Sequence, residues 1–178
     1  MSMNPSIPAA SAQQQLSRAD AITDLYRHHA VGLIRLALLL VGDQESAEDV
    51  VQEAFCGLYR NWRGLDDPGR VLGYLRVAVL NGSRSVLRAR RRAWLRPMRH
   101  DPPVWSAEAA AMATEERRAV LAALAGLPPR QREVMALRYY ADLADAQIAA
   151  ALGISRGTVV STASRALTAL ASRLKEEM

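Results

Sequence analysis

The sequence predicts an all-α protein built from two small helical domains, joined by a proline-containing linker, with four helices in the second. Three observations carry that expectation. Aromatic residues make up only 5% of the 178, and β-branched runs are rare, which disfavours a sheet. Apolar residues recur instead at three- and four-residue spacing along most of the chain. Helix-breaking residues then collect near the middle, in RPMRHDPPVWS, where Pro97, Pro102 and Pro103 oppose a continuous helix. Half of all residues are hydrophobic, which excludes a wholly disordered chain.

The opening MSMNPSIPAASAQQQLSR lacks the apolar core of a secretion signal and reads, through residue 19, as a disordered tail. From Asp20 the residues Ile22, Leu25, Leu33, Leu36, Ala37 and Leu40 repeat at helical spacing until Gly42. The run VGLIRLALLLV inside this helix is too short for a membrane span and contains Arg35, so it is expected to be buried. In ESAEDVVQEAFCGLYRNW, Ala47, Val50, Val51, Ala54, Phe55, Leu58 and Trp62 form one apolar stripe. Glu45, Glu48, Asp49, Gln52 and Cys56 fall on another face, and Gly64 with the DDPG turn ends the helix. A third helix, from about Arg70 to Trp94, gathers Leu72, Leu75, Val79 and Val86 on one side. Asn81, Arg84, Arg88, Arg91 and Arg92 lie nearly opposite. Residues 20–95 form the first domain, residues 96–106 the linker, and residues 107–178 the second domain.

The second domain begins with an alanine-rich helix that runs to the Pro128-Pro129 break, and RQREVMALRYY follows as another. The next two belong together. In IAAALGISRGTVVSTASR, Ala149 lets two helices approach, Gly153 supplies a permissive turn, and Ile148, Leu152, Ile154 and Val159 fill a shared core. Ser155 is placed to cap the second helix, whose inner face continues through Ala163, Ala166, Leu167, Leu170 and Leu174. This is a helix-turn-helix pattern. Its outward groups, Thr158, Ser161, Thr162 and Arg165, with Ser155 and Arg156 at the helix start, suit phosphates and base edges in a major groove.

Charge is unevenly placed. The net charge is +5, yet residues 84–99 hold seven arginines and no acid, so the rest of the chain is slightly acidic. A local strip of fixed positive charge points to a polyanion, and nucleic acid is preferred over a membrane surface because the opposite helix face is needed for the core. Between residues 43 and 53 there are five acids and no base, which repels phosphate at close range. On spacing alone these acids read as a solvated face that favours the positive helix N-terminus. Trp62, Tyr74 and Trp94 are able to stack on unpaired bases, although isolated aromatics at helical spacing more often pack in cores.

Catalytic chemistry finds no support. Cys56 is the sole cysteine and lacks an evident base, while the adjacent His28 and His29 point in different directions with no third ligand. No glycine-rich phosphate loop, nucleophile elbow or paired catalytic carboxylate emerges. No catalytic residue, metal or cofactor is expected, nor a small-molecule substrate or direct membrane insertion. Cysteine usage fits a reducing cytoplasm.

Taken in order, AEDVVQEAF, AVLNGSRSVLRARRR, the proline-containing linker and LPPRQREVMALRYYADLADAQIAAALGISRGTVVSTASRAL resemble the extracytoplasmic-function group of bacterial sigma-70-type RNA polymerase sigma factors. The likeness covers nearly everything after about residue 20. It implies a first domain (sigma region 2) that binds the clamp helices of the polymerase β′ subunit and opens the promoter minus-ten element. A second domain (sigma region 4), near the β flap, is implied to read the minus-thirty-five element. On that resemblance Asp49, Gln52 and Glu53 contact core polymerase, which reassigns the acidic face from solvent to a basic protein surface. Asn81, Arg84, Arg88, Arg91 and Arg92, with Trp62, are assigned to minus-ten DNA, and the loop over residues 65–70 to an extruded base. Ser155, Arg156, Thr158, Ser161, Thr162 and Arg165 are assigned to minus-thirty-five DNA. Gln147, Val160 and Thr162 depart from residues frequent in the family, as does the Gly82-Ser83 pair after Asn81. An anti-sigma partner is a family habit.

Two other readings use the same features. A stand-alone helix-turn-helix regulator of the two-component output type would need an α/β receiver, and the helical first half offers no such alternation. An arginine-rich RNA-binding or membrane-surface adaptor would use the basic strip without sequence selection.

Overall fold

The computed structural model describes residues 9–62, 68–94 and 115–177. They form helices throughout: α1 (Ala9–Val41), α2 (Gln44–Arg60), α3 (Pro68–Trp94), α4 (Glu115–Ala125), α5 (Pro129–Met135), α6 (Asp145–Leu152) and α7 (Arg156–Glu177), with a π turn over Ala136–Tyr140 continuing α5. The proline-containing linker, residues 96–106, lies outside the described residues, as do residues 65–67 of the loop assigned to an extruded base. Among the described residues no helix is long and apolar enough to cross a membrane.

The helical start corrects the expectation of a disordered tail through residue 19, because α1 begins at Ala9. The segment AASAQQQL is rich in strong helix formers and contains neither glycine nor proline, so nothing in it opposes extension of the helix. Farther along, the Arg18 guanidinium stacks 4.2 Å from the Tyr59 ring centroid of α2. Gly42, at φ +89°, ends α1 in the left-handed region.

Helices α1, α2 and α3 pack together around Leu33, Leu36 and Ala37 from the first, Val51, Phe55 and Leu58 from the second, and Val71, Leu75, Val79 and Leu80 from the third, all buried. Burying each large side chain is worth roughly 1.5–3 kcal/mol. Tyr26 meets Phe55 edge to face at 5.0 Å. The Gly82-Ser83 pair has a packing reason. A Cβ on Gly82 would stand 3.0 Å from Val50 Cγ1, and Ser83 is buried, so small residues set how closely α3 approaches α2.

The second set does not keep a core wholly separate from the first. Val134, Leu137, Ile148, Leu152, Val159 and Ala163 belong to one apolar cluster with the α1–α3 residues, and α1 also contacts α4, α5 and the π turn. A smaller cluster of Leu127, Met135 and Ala166 lies under α4 and α7. Arg132 stands at the seam. Its guanidinium donates to the carbonyls of Leu124, at 3.2 Å, Ala125 and Leu127, at 3.1 Å, and to Leu40 near the end of α1, at 3.1 Å. One cation thus serves carbonyls at two helix C-termini, where the macrodipole favours positive charge. Burial pulls its pKa below the ordinary arginine range.

A second arginine lock joins α3 to the α1–α2 corner. Asp43 caps α2 by accepting the Ser46 N–H at 2.9 Å. Arg90 donates to Asp43, to Ser46 Oγ at 2.7 Å and to the Val41 carbonyl at 2.7 Å. Burial alone raises the Asp43 carboxyl, but the hydrogen bonds from Arg90 and Ser46 together outweigh it and hold the group below its ordinary 3.8. A carboxylate with a depressed folded pKa stabilises the fold above its unfolded pKa and loses that contribution as pH falls through the folded value. Asp43→Asn is therefore expected to cost about 1 kcal/mol at pH 7, as for an N-cap in a hydrogen-bond network. The difference from the parent should shrink below about pH 3.8, which thermal unfolding followed by circular dichroism at pH 7, 4 and 3 will read.

Candidate nucleic-acid interface

Helix α2 turns its apolar stripe inward and leaves Asp49, Gln52 and Glu53 exposed, at the spacing that puts residues i, i+3 and i+4 on one face. Exposed Glu45 and Glu48 extend the same acidic surface toward the helix N-terminus. Glu53 pairs with Arg60 in solvent, a contact worth little energetically. The three residues assigned to polymerase are thus together and hydrated.

Helix α3 leaves Asn81, Arg88, Arg91 and Arg92 exposed, and Arg88 donates to Ser85 Oγ at 3.0 Å. Two expected members of the strip behave otherwise. Trp62 is partly buried and packs against the apolar core, because it is the last residue of the α2 stripe. Arg84 is turned toward α5, where Nε donates to Glu133 Oε1 at 2.6 Å and Nη2 to Oε2 at 2.8 Å. These hydrogen bonds raise the Arg84 guanidinium above the ordinary arginine range against the effect of burial. The strip expected to be wholly open is therefore interrupted at Arg84, between Asn81 and Arg88.

The helix-turn-helix is built from α6 and α7. Gly153 has φ +64°, and the Ile154 N–H reaches the Ala149 carbonyl at 3.0 Å, so the chain leaves α6 through a left-handed turn open to glycine. Ser155 then caps α7 by accepting the Thr158 N–H at 3.1 Å. Gln147, where relatives frequently carry an acid, accepts the Ala144 N–H at 2.9 Å and caps α6 in an acid's manner. Arg138 of the π turn pairs with Asp145 and fixes the first turn of α6.

Ser155, Arg156, Thr158, Ser161 and Arg165 are exposed along α7. Thr162 is not: at 3% exposure it lies with Val159, Ala163 and Ala166 on the inward side. Its assignment to DNA is corrected by helical periodicity, since positions three and seven residues after Val159 return to the same face. Exposed Val160 and Ser164 complete the outer surface instead. Arg130, Arg132 and Glu133 also escaped the sequence reading, although an acid set against Val134 and Met135 in an apolar stretch is a signal of a buried ion pair.

Residues 25–93 match the family Sigma-70 region 2, and residues 117–170 match Sigma-70, region 4. The chain is 36% identical over 174 residues to the ECF RNA polymerase sigma factor SigL of Mycobacterium tuberculosis, covering 94% of each. It is 35% identical over 146 residues to RNA polymerase sigma-E factor of Streptomyces avermitilis, covering 82% of this chain and 78% of that one. The chain belongs to the extracytoplasmic-function sigma factors. A solved structure of CnrH in complex with the cytosolic domain of CnrY superimposes with a TM-score of 0.66 at 25% identity, covering 94% of this chain and 96% of that one. The sigma factor RpoE of Bartonella quintana, solved with the anti-sigma factor NepR, shares the fold at a TM-score of 0.66 and 22% identity, covering 85% of this chain and 97% of that one. This sigma factor accordingly directs RNA polymerase to promoters in transcription initiation.

The orientation of the reading helix generates a test. Thr162→Arg should destabilise the fold by roughly 3 kcal/mol or more, because it forces a charge into the α7 core face. Ser161→Arg should stay within about 0.5 kcal/mol of the parent and add about 0.9 to the salt slope of duplex binding. Chemical denaturation and salt-dependent DNA titration measure both, and equal stability of the two variants would contradict the inward placement of Thr162.

Proposed function

We propose that residues 20–95 dock on core polymerase and open the minus-ten element, that residues 107–178 read the minus-thirty-five element, and that residues 96–106 link them. The observation that carries this division is the segregation of charge on adjoining helices. An acidic, hydrated face on α2, made by Asp49, Gln52 and Glu53, stands apart from the exposed Asn81, Arg88, Arg91 and Arg92 of α3. The first suits a basic protein surface such as the β′ clamp helices and repels DNA, while the second attracts phosphate. Opening a duplex takes a few kcal/mol per unstacked base, which contacts with the separated strand return without nucleotide hydrolysis.

In this arrangement α7, with Ser155, Arg156, Thr158, Ser161 and Arg165, enters the major groove at the minus-thirty-five element while its domain rests near the β flap. The two arginines of that set, Arg156 and Arg165, are few for a stand-alone reader. Tethering to polymerase and to the minus-ten contacts raises its effective concentration, so high intrinsic affinity is unnecessary. An anti-sigma partner is part of the same reading. The Bartonella RpoE is solved with the anti-sigma factor NepR, and CnrH with the cytosolic domain of CnrY. This chain has an apolar cavity of about 350 Å³ among α1, α4, α5 and α7, lined by Leu39, Leu121, Leu124, Met135 and Leu170, which suits an apolar helix face.

The deciding experiment mixes the purified chain with bacterial core polymerase and a promoter template and measures specific transcripts. Transcripts are expected from these components alone, and none would appear if the chain were an accessory regulator. Asp49→Arg should lower core-polymerase association at least about tenfold, a change of about 1.4 kcal/mol, with helicity intact. Unchanged co-migration would remove Asp49 from the interface. The double variant Arg88→Ala, Arg91→Ala should keep polymerase affinity and reduce promoter opening, read as loss of permanganate reactivity at minus-ten thymines.

A further inference from the structure

We propose that the cavity among α1, α3 and the π turn is a binding site for a small phosphoryl anion, with Arg76, His28 and His29 as its donors. A space of about 190 Å³ opens there, lined by these three side chains and by Leu33, Leu36 and Leu72. No residue assigned to polymerase or to DNA lines it, so the site is independent of those assignments. Its size lies below the roughly 300 Å³ at which pockets for larger organic ligands begin, which favours a free ion or a short ester. Arg76 supplies the first argument. It follows Leu72 and precedes the buried Leu80 at four-residue spacing, so it stands toward the packed side of α3 and off the strip of Asn81, Arg88, Arg91 and Arg92. Burial pulls its guanidinium below the ordinary arginine range, partly offset by the charge of Asp142. Arg84, Arg90 and Arg132, also partly buried, each donate to fixed acceptors. Among the described residues no hydrogen bond or ion pair joins Arg76 to any acceptor, and its planar fork of N–H donors stays available to a ligand.

The histidines define the ligand's chemistry. Their ring centroids are 6.5 Å apart, and His28 Nδ1 donates to the Asp24 carbonyl at 2.7 Å, which leaves Nε2 without a partner among the described residues. Protonated, Nε2 donates to a phosphoryl oxygen; neutral, it accepts from a P–OH group. Phosphoryl groups exchange their second proton close to neutrality, so both pairings are open to them, whereas a carboxylate has already lost its proton. A metal ion is disfavoured, because Arg76 repels it and no group of three metal-binding side chains occurs among the described residues. Gly32 explains why the space exists. It lies within α1, where glycine costs backbone entropy, and a Cβ there would meet nothing within 4 Å. Close packing, which accounts for Gly82 against Val50, does not account for it. The missing side chain instead leaves room between His28 and Leu36, one turn to either side. The π turn brings Tyr140 and Ala141 to the cavity, and Asp142 follows at φ +51°, a conformation aspartate and asparagine tolerate. Both a π turn and a left-handed residue are features concentrated at ligand sites.

The test titrates the full-length chain, at fixed ionic strength, with inorganic phosphate and separately with glycerol phosphate. Calorimetry reads affinity, and NMR follows the His28 and His29 ring resonances. The parent should bind saturably and shift both rings. Arg76→Gln should weaken binding at least about tenfold, as for loss of charge-assisted hydrogen bonds. Gly32→Leu should weaken it to a similar extent without lowering the melting temperature, because leucine is the better helix former and enters open space. Asp142→Asn keeps the left-handed backbone accessible and removes a negative charge near Arg76, so it should tighten binding several-fold. The double variant Arg88→Ala, Arg91→Ala should bind as the parent does, which separates the cavity from the exposed strip. Tighter binding of the ester than of phosphate assigns the apolar lining to an organic group, and equal binding assigns the site to the free ion. Absence of saturable binding by the parent would overturn the site. So would parent-like affinity in folded Arg76→Gln and Gly32→Leu, or binding lost in the double variant alone.

Discussion

Everything in the architecture depends on the apolar burial of α1, a helix shared by both halves of the molecule. One side of it completes the bundle with α2 and α3, and its C-terminal half also receives α5 and the π turn. Helices as short as α5 and α6 are not stable alone, because nucleation is costly and few backbone hydrogen bonds follow it. Packing Val134, Leu137 and Ile148 into a cluster continuous with Leu36 and Leu40 supplies what their length does not. Sequential helices thus become a single compact body through a surface that local periodicity assigns only to the first domain.

Arginine does two different jobs on this scaffold, and burial separates them. Arg132, Arg90 and Arg84 are partly removed from water and each has several fixed acceptors, so their cost of desolvation is offset by directed hydrogen bonds. Arg88, Arg91 and Arg92 remain hydrated, and an exposed cation gives up little solvation when it meets a phosphate. A count of positive charge along α3 merges these populations. Geometry separates them, because the helix turns Arg90 toward the capped start of α2 and Arg84 toward α5, while Arg88, Arg91 and Arg92 stay exposed.

Local signals made most helices legible. Gly42 and Gly153 mark ends where a left-handed residue is required, Ser155 marks a start, and the Val50, Val51, Ala54, Phe55, Leu58 spacing identifies an inward face. Extension of α1 to Ala9 was less visible because an apolar stripe, the cue for a helix, weakens in AASAQQQL while propensity does not. Pairings across long separations were not legible at all. Arg84 and Glu133 are 49 residues apart, and Arg90 and Asp43 are 47 apart, so no local period relates them. Thr162 was misplaced for a different reason: a hydroxyl next to Ser161 suggests a polar surface, but the period of α7 carries it under the helix.

The same geometry explains why a sparsely charged reading helix belongs in this protein. A strongly basic α7 would bind any duplex, since phosphate attraction is blind to sequence and each added contact deepens non-specific affinity. With hydroxyls at Ser155, Thr158 and Ser161 and cations only at Arg156 and Arg165 on the exposed face within that stretch, α7 gains little from random DNA. On the proposed division, selection comes from requiring several modest surfaces at once: an acidic face for a protein partner, a hydrated basic face for a separated strand, and short polar groups for a groove. On that proposal specificity arises from conjunction, and the weakness of each part is the condition that makes the conjunction necessary.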